Sequence, residues 1–299
     1  MCKKISNGAP FILYEQDRAD TGALSLIEKM ESRTLYHGVH YEKRLYHRGN
    51  GEQVLVYLTM LSPVANASFA VSAAPSGRVK MVKNHASDFD GYVICAMNAG
   101  YFHFFNDGDL SPYGIQIVRG KEINPPGKDK LQYSDNWIGV TKEGKIVIGN
   151  SEDYYTRLRG NLEYAVGGGA RLIRDGEIYL PSDEGKHPRT TVGISSDGTL
   201  ILMCADGRSS FSAGLTYGDI IDLYLGLGYE IRDLLNLDGG GSTTFVLRDQ
   251  DNTFSVQNIP SGPPLPISYQ KYDLPTPVPF KDTQARGVSD CVLIIAKDQ

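Results

Sequence analysis

Asp238 stands ahead of three glycines and three hydroxyl residues in the run Asn236-Leu-Asp-Gly-Gly-Gly-Ser-Thr-Thr, and the chain then turns apolar in Phe245-Val-Leu. A carboxylate, the Ser242 and Thr243 hydroxyls and the N–H groups of Gly239, Gly240 and Gly241 fall within six residues. Successive glycine N–H groups can cup an anion, and a carboxylate beside them can serve as base or nucleophile. The same residues also suit a glycine-rich bulge closed by an aspartate-capped turn. Taken alone, the segment supports both readings equally.

Other polar groups stand at the ends of apolar runs. Asp206-Gly207-Arg208 follows Thr199–Cys204, and His187-Pro188-Arg189 precedes another strand-like run. In isolation these are an Asp-Gly turn and a solvated strand-end charge, although arginine also suits bidentate phosphate contact. Asn98 leads through Gly100 into Tyr101, Phe102, Phe104 and Phe105, which form either a packed aromatic loop or a stacking surface for substrate. Gly167, Gly168 and Gly169 interrupt a strand-like run, which signals a bulge or a ligand held against the backbone. The lysine of a P-loop is absent after the glycines, and there is no Gly-x-Ser-x-Gly or His-Glu-x-x-His. The six histidines are scattered, so zinc and dinuclear metal hydrolases are disfavoured.

The elements that must carry these groups are mostly strands. Asn50-Gly51, Glu143-Gly144, Asp175-Gly176 and Asp197-Gly198 each separate two β-rich runs, a hairpin signal. Further strands are expected at Tyr92–Met97, Gly114–Arg119, Leu234–Leu237, Thr244–Leu247 and Val288–Ala296. One helix is expected from Thr216 to Gly228, with Thr216 and Asp219 as a capping pair and Ile220, Leu223, Tyr224 and Leu227 on one face. A second is expected over Gly22–Met30. Asn258–Phe280, with seven prolines, is expected to be a surface excursion. The expected class is α+β, a strand-rich mixed sheet with few helices in a single large domain. Residues 1–90 form an N-terminal strand-rich extension, in the same or an accessory domain, and 91–299 the site-bearing part.

The 299 residues carry a net charge of −5, which argues against duplex nucleic acid as a partner. No apolar run is long enough to span a membrane, and the N-terminus has no signal-like core, so a cytoplasmic location is expected. The alternative is an exported chain or lipoprotein, with Cys2 as the lipidated residue behind a removed signal. Cys95, Cys204 and Cys291 sit in apolar runs and are expected as core residues rather than disulfides or zinc ligands.

The conjunction is more specific than its parts. Asn98-Ala-Gly-Tyr-Phe, Gly167-Gly-Gly, Pro188-Arg-Thr, Asp206-Gly-Arg, Gly214-Leu-Thr and Leu237-Asp-Gly-Gly-Gly-Ser occur in this order. Over about Tyr92 to Ala296 the chain resembles the phosphodiester glycosidase family. Family members more often read Asn-Gly-Gly-Phe-Phe at the first motif and Ser in place of Thr243. They also tend to show Glu-Arg where this chain has Ala285-Arg286. The resemblance implies hydrolysis of a sugar-1-phosphodiester at the anomeric C–O bond, releasing sugar and a phosphomonoester. It implies Asp238, Asp206 and Arg189 as catalytic residues. Asn98, Tyr101, Gly168, Gly169, Arg208, Gly239, Gly240, Gly241, Ser242 and Thr243 would bind substrate. No cofactor is required on this reading, though Ca²⁺ among Asp206, Asp238 and backbone carbonyls is conceivable. The substrate is a small-molecule or glycan phosphodiester. The alternatives are a non-catalytic phosphoglycan or nucleotide-sugar binding module, and a phosphodiesterase that cleaves P–O.

Overall fold

All four two-residue turn signals close hairpins. Asn50-Gly51 joins β3 (Val39–Arg48) to β4 (Gln53–Leu61), and Glu143-Gly144 joins β9 (Trp137–Thr141) to β10 (Ile146–Gly149). Asp175-Gly176 joins β12 (Arg171–Arg174) to β13 (Glu177–Leu180), and Asp197-Gly198 joins β14 (Arg189–Ser195) to β15 (Leu200–Ala205). Gly51, Gly144, Gly176 and Gly198 all take positive φ, as such tight turns require. The structure is a computed structural model that describes residues 3–5, 23–103, 110–127, 134–181, 185–261 and 285–297.

The strands assemble into three sheets. The largest has nine strands in the order β1-β13-β12-β16-β14-β15-β4-β3-β2, with β1 at Lys3–Ile5, β2 at Leu24–Tyr36 and β16 at Ile231–Asn236. A second, five-stranded, runs β10-β9-β11-β7-β8, with β7 at Gln116–Val118, β8 at Lys121–Asn124 and β11 at Leu162–Gly167. The third runs β18-β17-β6-β19-β5. In it β5 is Ala67–Ala73, β6 Val93–Asn98, β17 Phe245–Arg248, β18 Phe254–Val256 and β19 Asp290–Ala296. The α+β, strand-rich class therefore holds. In place of one mixed sheet there are three, and every described pairing of named strands is antiparallel. Strands before residue 90 are woven in with later ones: β4 pairs β15, and β5 pairs β19.

Three short α-helices are described: α1 (Val82–Ser87), α2 (Ser151–Asp153) and α3 (Tyr217–Leu225). Thr216 caps α3, and its hydroxyl and Asp219 exchange bonds as the sequence predicts. Ile220, Ile221 and Tyr224 pack with Leu58, Ile201, Met203 and Leu234 on one face of the large sheet. Burial of each such side chain contributes roughly 1.5–3 kcal/mol. The wholly buried Arg48 of β3 grips Asp219 with both terminal nitrogens, each at 2.7 Å, and so ties the sheet to the helix start. The opposite face of the sheet, with Val192, Leu202 and Leu235, packs on Cys95, Val246 and Leu293 of the third sheet.

The helix expected over Gly22–Met30 does not form. Its residues 24–30 lie in β2, which pairs along its length with β3, and Leu26, Ile27 and Met30 are exposed. Cross-strand pairing overrides a 3.6-residue pattern that spans little more than two turns. Cys95, Cys204 and Cys291 are free and buried, as expected, while Cys2 and residues 262–280 lie outside the described residues.

Candidate active site

β16 delivers the glycine loop to the seam between the large sheet and the third sheet. Its last residue, Asn236, pairs with Thr191 of β14, and β17 begins at Phe245 and pairs with β6. The loop must therefore leave one sheet and enter another. Asn98, at the end of β6, fastens both ends of it. Its Nδ2 donates to the Asp238 carbonyl at 2.6 Å, and its Oδ1 accepts from Thr244 N at 3.1 Å and Thr190 Oγ1 at 2.8 Å. Asn98 is fully buried.

Inside the loop, Gly240–Ser242 forms one 3-10 turn. Gly240 N donates to Pro188 O, Ser242 N to Gly239 O and Thr243 N to Gly240 O. Of the three glycine N–H groups expected to form an open nest, that of Gly240 is taken by Pro188 O and that of Gly239 faces the Asp238 carboxyl. The glycines serve close approach instead. A Cβ on Gly239 would stand 2.6 Å from Pro188 O, and Gly240, at φ +59°, would bring one to 3.2 Å from both terminal nitrogens of Arg208. Gly168 and Gly169 likewise pack on the Leu235 side chain and the Tyr101 ring. The Tyr101 hydroxyl accepts from Asn236 Nδ2 at 2.9 Å.

Around the Asp238 carboxyl the structure gathers Ser242, Arg286 and the Gly239 N–H. Burial pushes this carboxyl up to about 7; Ser242, Arg286 and Gly239 N–H pull it down, and the charge of Asp290 adds to the rise. Arg286 is close enough to Arg208 to feel its charge, and Arg208 is exposed and meets His187 Nδ1 at 3.2 Å. Two guanidinium groups beside a carboxyl whose ionisation is opposed by burial make a surface suited to a phosphate ester. Arg208 itself adopts φ +59°, uncommon for a residue with a side chain, and that turn lays its guanidinium against Gly240.

Two expected catalytic residues keep other company. Asp206 is buried and accepts from Tyr57 OH at 2.9 Å, Asn258 Nδ2 at 3.1 Å and Ile259 N at 3.0 Å. Burial raises its carboxyl to about 6 against those donors. Asn258 in turn donates to Thr243 O at 3.0 Å and accepts from Phe245 N at 2.8 Å, so Asp206 braces the exit of the glycine loop. Arg189 is buried, with Nε donating to Leu215 O and Nη2 to Gly185 O, and its guanidinium lies 4.4 Å from the centre of the Tyr217 ring. Strand alternation explains this. Thr190 points to Asn98, so Arg189 points to the other face, toward α3.

Asp290 is the further carboxyl at the site. It is fully buried beneath Gly100 and accepts from Gly100 N at 2.6 Å, Gln116 Nε2 at 2.9 Å and Ser289 Oγ at 3.0 Å. Asp290 carries no local motif that marks it as a site residue; residue order signalled His187 only as part of His187-Pro188-Arg189 ahead of a strand, and Arg286 only as the arginine before the last strand. Among the described residues no group of three or more His, Cys, Asp or Glu is arranged to hold a metal ion.

A family model described as phosphodiester glycosidase matches residues 91–294. The SPbeta prophage-derived protein YomE of Bacillus subtilis (strain 168) is 42% identical over 77 residues, covering 26% of this chain and 11% of that one. N-acetylglucosamine-1-phosphodiester alpha-N-acetylglucosaminidase of Bos taurus is 26% identical over 171 residues, 51% of this chain and 31% of that one. The chain thus spans less than a third of the length of these curated relatives. The catalytic domain of the zebrafish enzyme of that name superposes with a TM-score of 0.61 at 19% identity, over 99% of this chain and 95% of that one. A Burkholderia pseudomallei K96243 protein superposes with a TM-score of 0.57 at 11% identity, over 92% and 97%. At such identities the superpositions establish a shared fold. No helix among the described residues is long and apolar enough to cross a membrane.

Proposed function

The chain belongs to the phosphodiester glycosidase family, and from that premise we propose that it hydrolyses the anomeric C–O bond of a sugar-1-phosphodiester, releasing free sugar and a phosphomonoester. The observation that carries this reading is Asp238 beside Arg286, with Arg208 laid against the same glycine loop.

The bond dictates the division of labour. A phosphate leaves as a weak base, so it needs charge neutralisation more than a proton. Arg208 and Arg286 supply that neutralisation in this reading. Asp238, with its carboxyl near 7, acts as base for water on the sugar side. Water oxygen bonds to the anomeric carbon, its proton passes to Asp238, and the C–O pair departs on the phosphate oxygen. Arg189 holds the Gly185 and Leu215 segments beside the loop, and Asp206 holds its exit through Asn258. The fold relatives and the Bos taurus enzyme support the reaction class without fixing the sugar.

Hydrolysis of a panel of sugar-1-phosphodiesters in water enriched in heavy oxygen tests the reading. Label in the sugar is the expected result. Label in the phosphomonoester would mean P–O cleavage, and tight binding without turnover would mean a binding module. Turnover that survives prolonged dialysis against EDTA is expected, since no step above runs through a metal.

A further inference from the structure

Away from the glycine loop, a cavity of about 410 Å³ opens between the large sheet and the second sheet. Arg171, Arg174 and Arg232 of β12 and β16 line it on one side, and Lys145 and Arg157 on the other. The lining carboxylates are Asp153, Asp175 and Asp233, so two positive charges are in excess. Each acid is already engaged: Asp233 by Arg171 and Arg232, Asp175 by Arg174 at 3.7 Å, and Asp153 by Arg157. Arg171 retains only 10% of its side-chain exposure, yet its Nε is buried without a hydrogen-bond partner. Arg171 and Arg232 share the single carboxylate of Asp233, so this pair carries a positive charge that no lining acid balances.

We propose that this cavity is a second anion site, which takes the phosphate group of a phosphodiester. Guanidinium forks match phosphate oxygens in pairs, and three of the five cations here are arginines of one sheet. The volume falls within the range of small-ligand sites, enough for a phosphate with part of a sugar. Arg232 and Asp238 belong to one segment, six residues apart. At about 3.3 Å per extended residue their Cα atoms lie at most roughly 20 Å apart. A glycan with repeated phosphodiesters engages both sites at once, a consequence that rests on the reaction proposed above.

Calorimetric titration of the full chain with inorganic phosphate at low ionic strength tests the site. Arg174→Gln, Arg174→Gln/Arg232→Gln and Arg208→Gln are compared with the wild type. Arg174 is half exposed and meets the exposed Asp175, so its single replacement leaves the melting curve in place and keeps the test valid if the double variant is unstable. The expected result is that phosphate binding at this site weakens about twofold to fivefold in the single variant and at least tenfold in the double variant, and persists in Arg208→Gln. Equal binding by wild type and both cavity variants overturns the site, whatever the outcome for turnover. With a glycan of repeated phosphodiesters, the cavity variants are expected to raise KM with kcat unchanged, and to change neither for a single sugar-1-phosphodiester. An unchanged KM on the polymer overturns the link to substrate.

Discussion

Asn98 Nδ2 donates to the carbonyl oxygen of Asp238 at 2.6 Å, while the Oδ1 of the same side chain accepts from Thr244 N. One amide therefore spans the entrance and exit of the glycine loop. It fixes the backbone of Asp238 without touching its carboxyl.

Asn98→Ala removes the staple and leaves the Asp238 carbonyl and Thr244 N–H unpaired. Each buried orphan costs about 1–3 kcal/mol. The expected outcome is a lower melting temperature together with a fall in kcat, measured side by side. A stable variant with unchanged kcat would show that the loop holds its shape unaided.

Asp238→Asn is expected to abolish turnover. In the wild type, activity should climb as pH rises through about 7, where the carboxyl ionises. Stability runs the other way. The folded value lies above a free aspartate's ordinary value of 3.8, so the fold favours the protonated form. Its contribution is full below about pH 4 and is lost as pH rises toward 7. Asp238→Asn should accordingly match the wild type near pH 4 and melt higher than it near pH 8, which calorimetry at the two pH values can check.

Arg208→Ala and Arg286→Ala are expected to reduce kcat/KM by about a hundredfold or more each, as loss of a charge-stabilising donor does. Arg208 is exposed, so its removal should leave the melting temperature within a degree or two. Arg189→Ala should instead lower stability by about 2 kcal/mol or more, because the Gly185 and Leu215 carbonyls and the Tyr217 ring lose their partner. A reversed pattern, with Arg189→Ala stable and inactive, would return the phosphate contact to Arg189.

Asp206→Ala and Asp206→Asn separate bracing from catalysis. Asparagine keeps one acceptor oxygen for Asn258 and Ile259, and its amide can donate to the Tyr57 hydroxyl oxygen, so it should retain most of both stability and kcat, whereas alanine loses both. A carboxylate that acts on substrate would lose activity equally in the two variants.

Gly239→Ala places a methyl 2.6 Å from Pro188 O, where backbone must move, and is expected to disrupt the loop. Gly240→Ala meets the Arg208 guanidinium and a positive φ together. The expected signature is a raised KM from the displaced arginine and a stability loss of about 1 kcal/mol. Parallel kinetics and melts distinguish the two sites.

Much of the framework was legible in residue order. Asn-Gly, Asp-Gly and Glu-Gly between β-rich runs specify hairpins because the turn needs positive φ, and Thr216 with Asp219 specifies a helix start because both orphan N–H groups find acceptors nearby. Asp238 was visible for a similar reason: its loop is contiguous. What residue order could not settle depends on side chains that meet from far along the chain. Leu26, Ile27 and Met30 fit a helix face until the pairing with β3 claims them. Asp206 and Arg189 have the residue types of catalytic groups, but buried partners engage one through Asn258 and the other through the Leu215 and Gly185 carbonyls. Arg286 enters the site from the far end of the sequence, beside a carboxyl 48 residues earlier. Local chemistry is written in neighbours along the chain, while charge, burial and facing are decided by neighbours in space, and only the packed sheets bring those together.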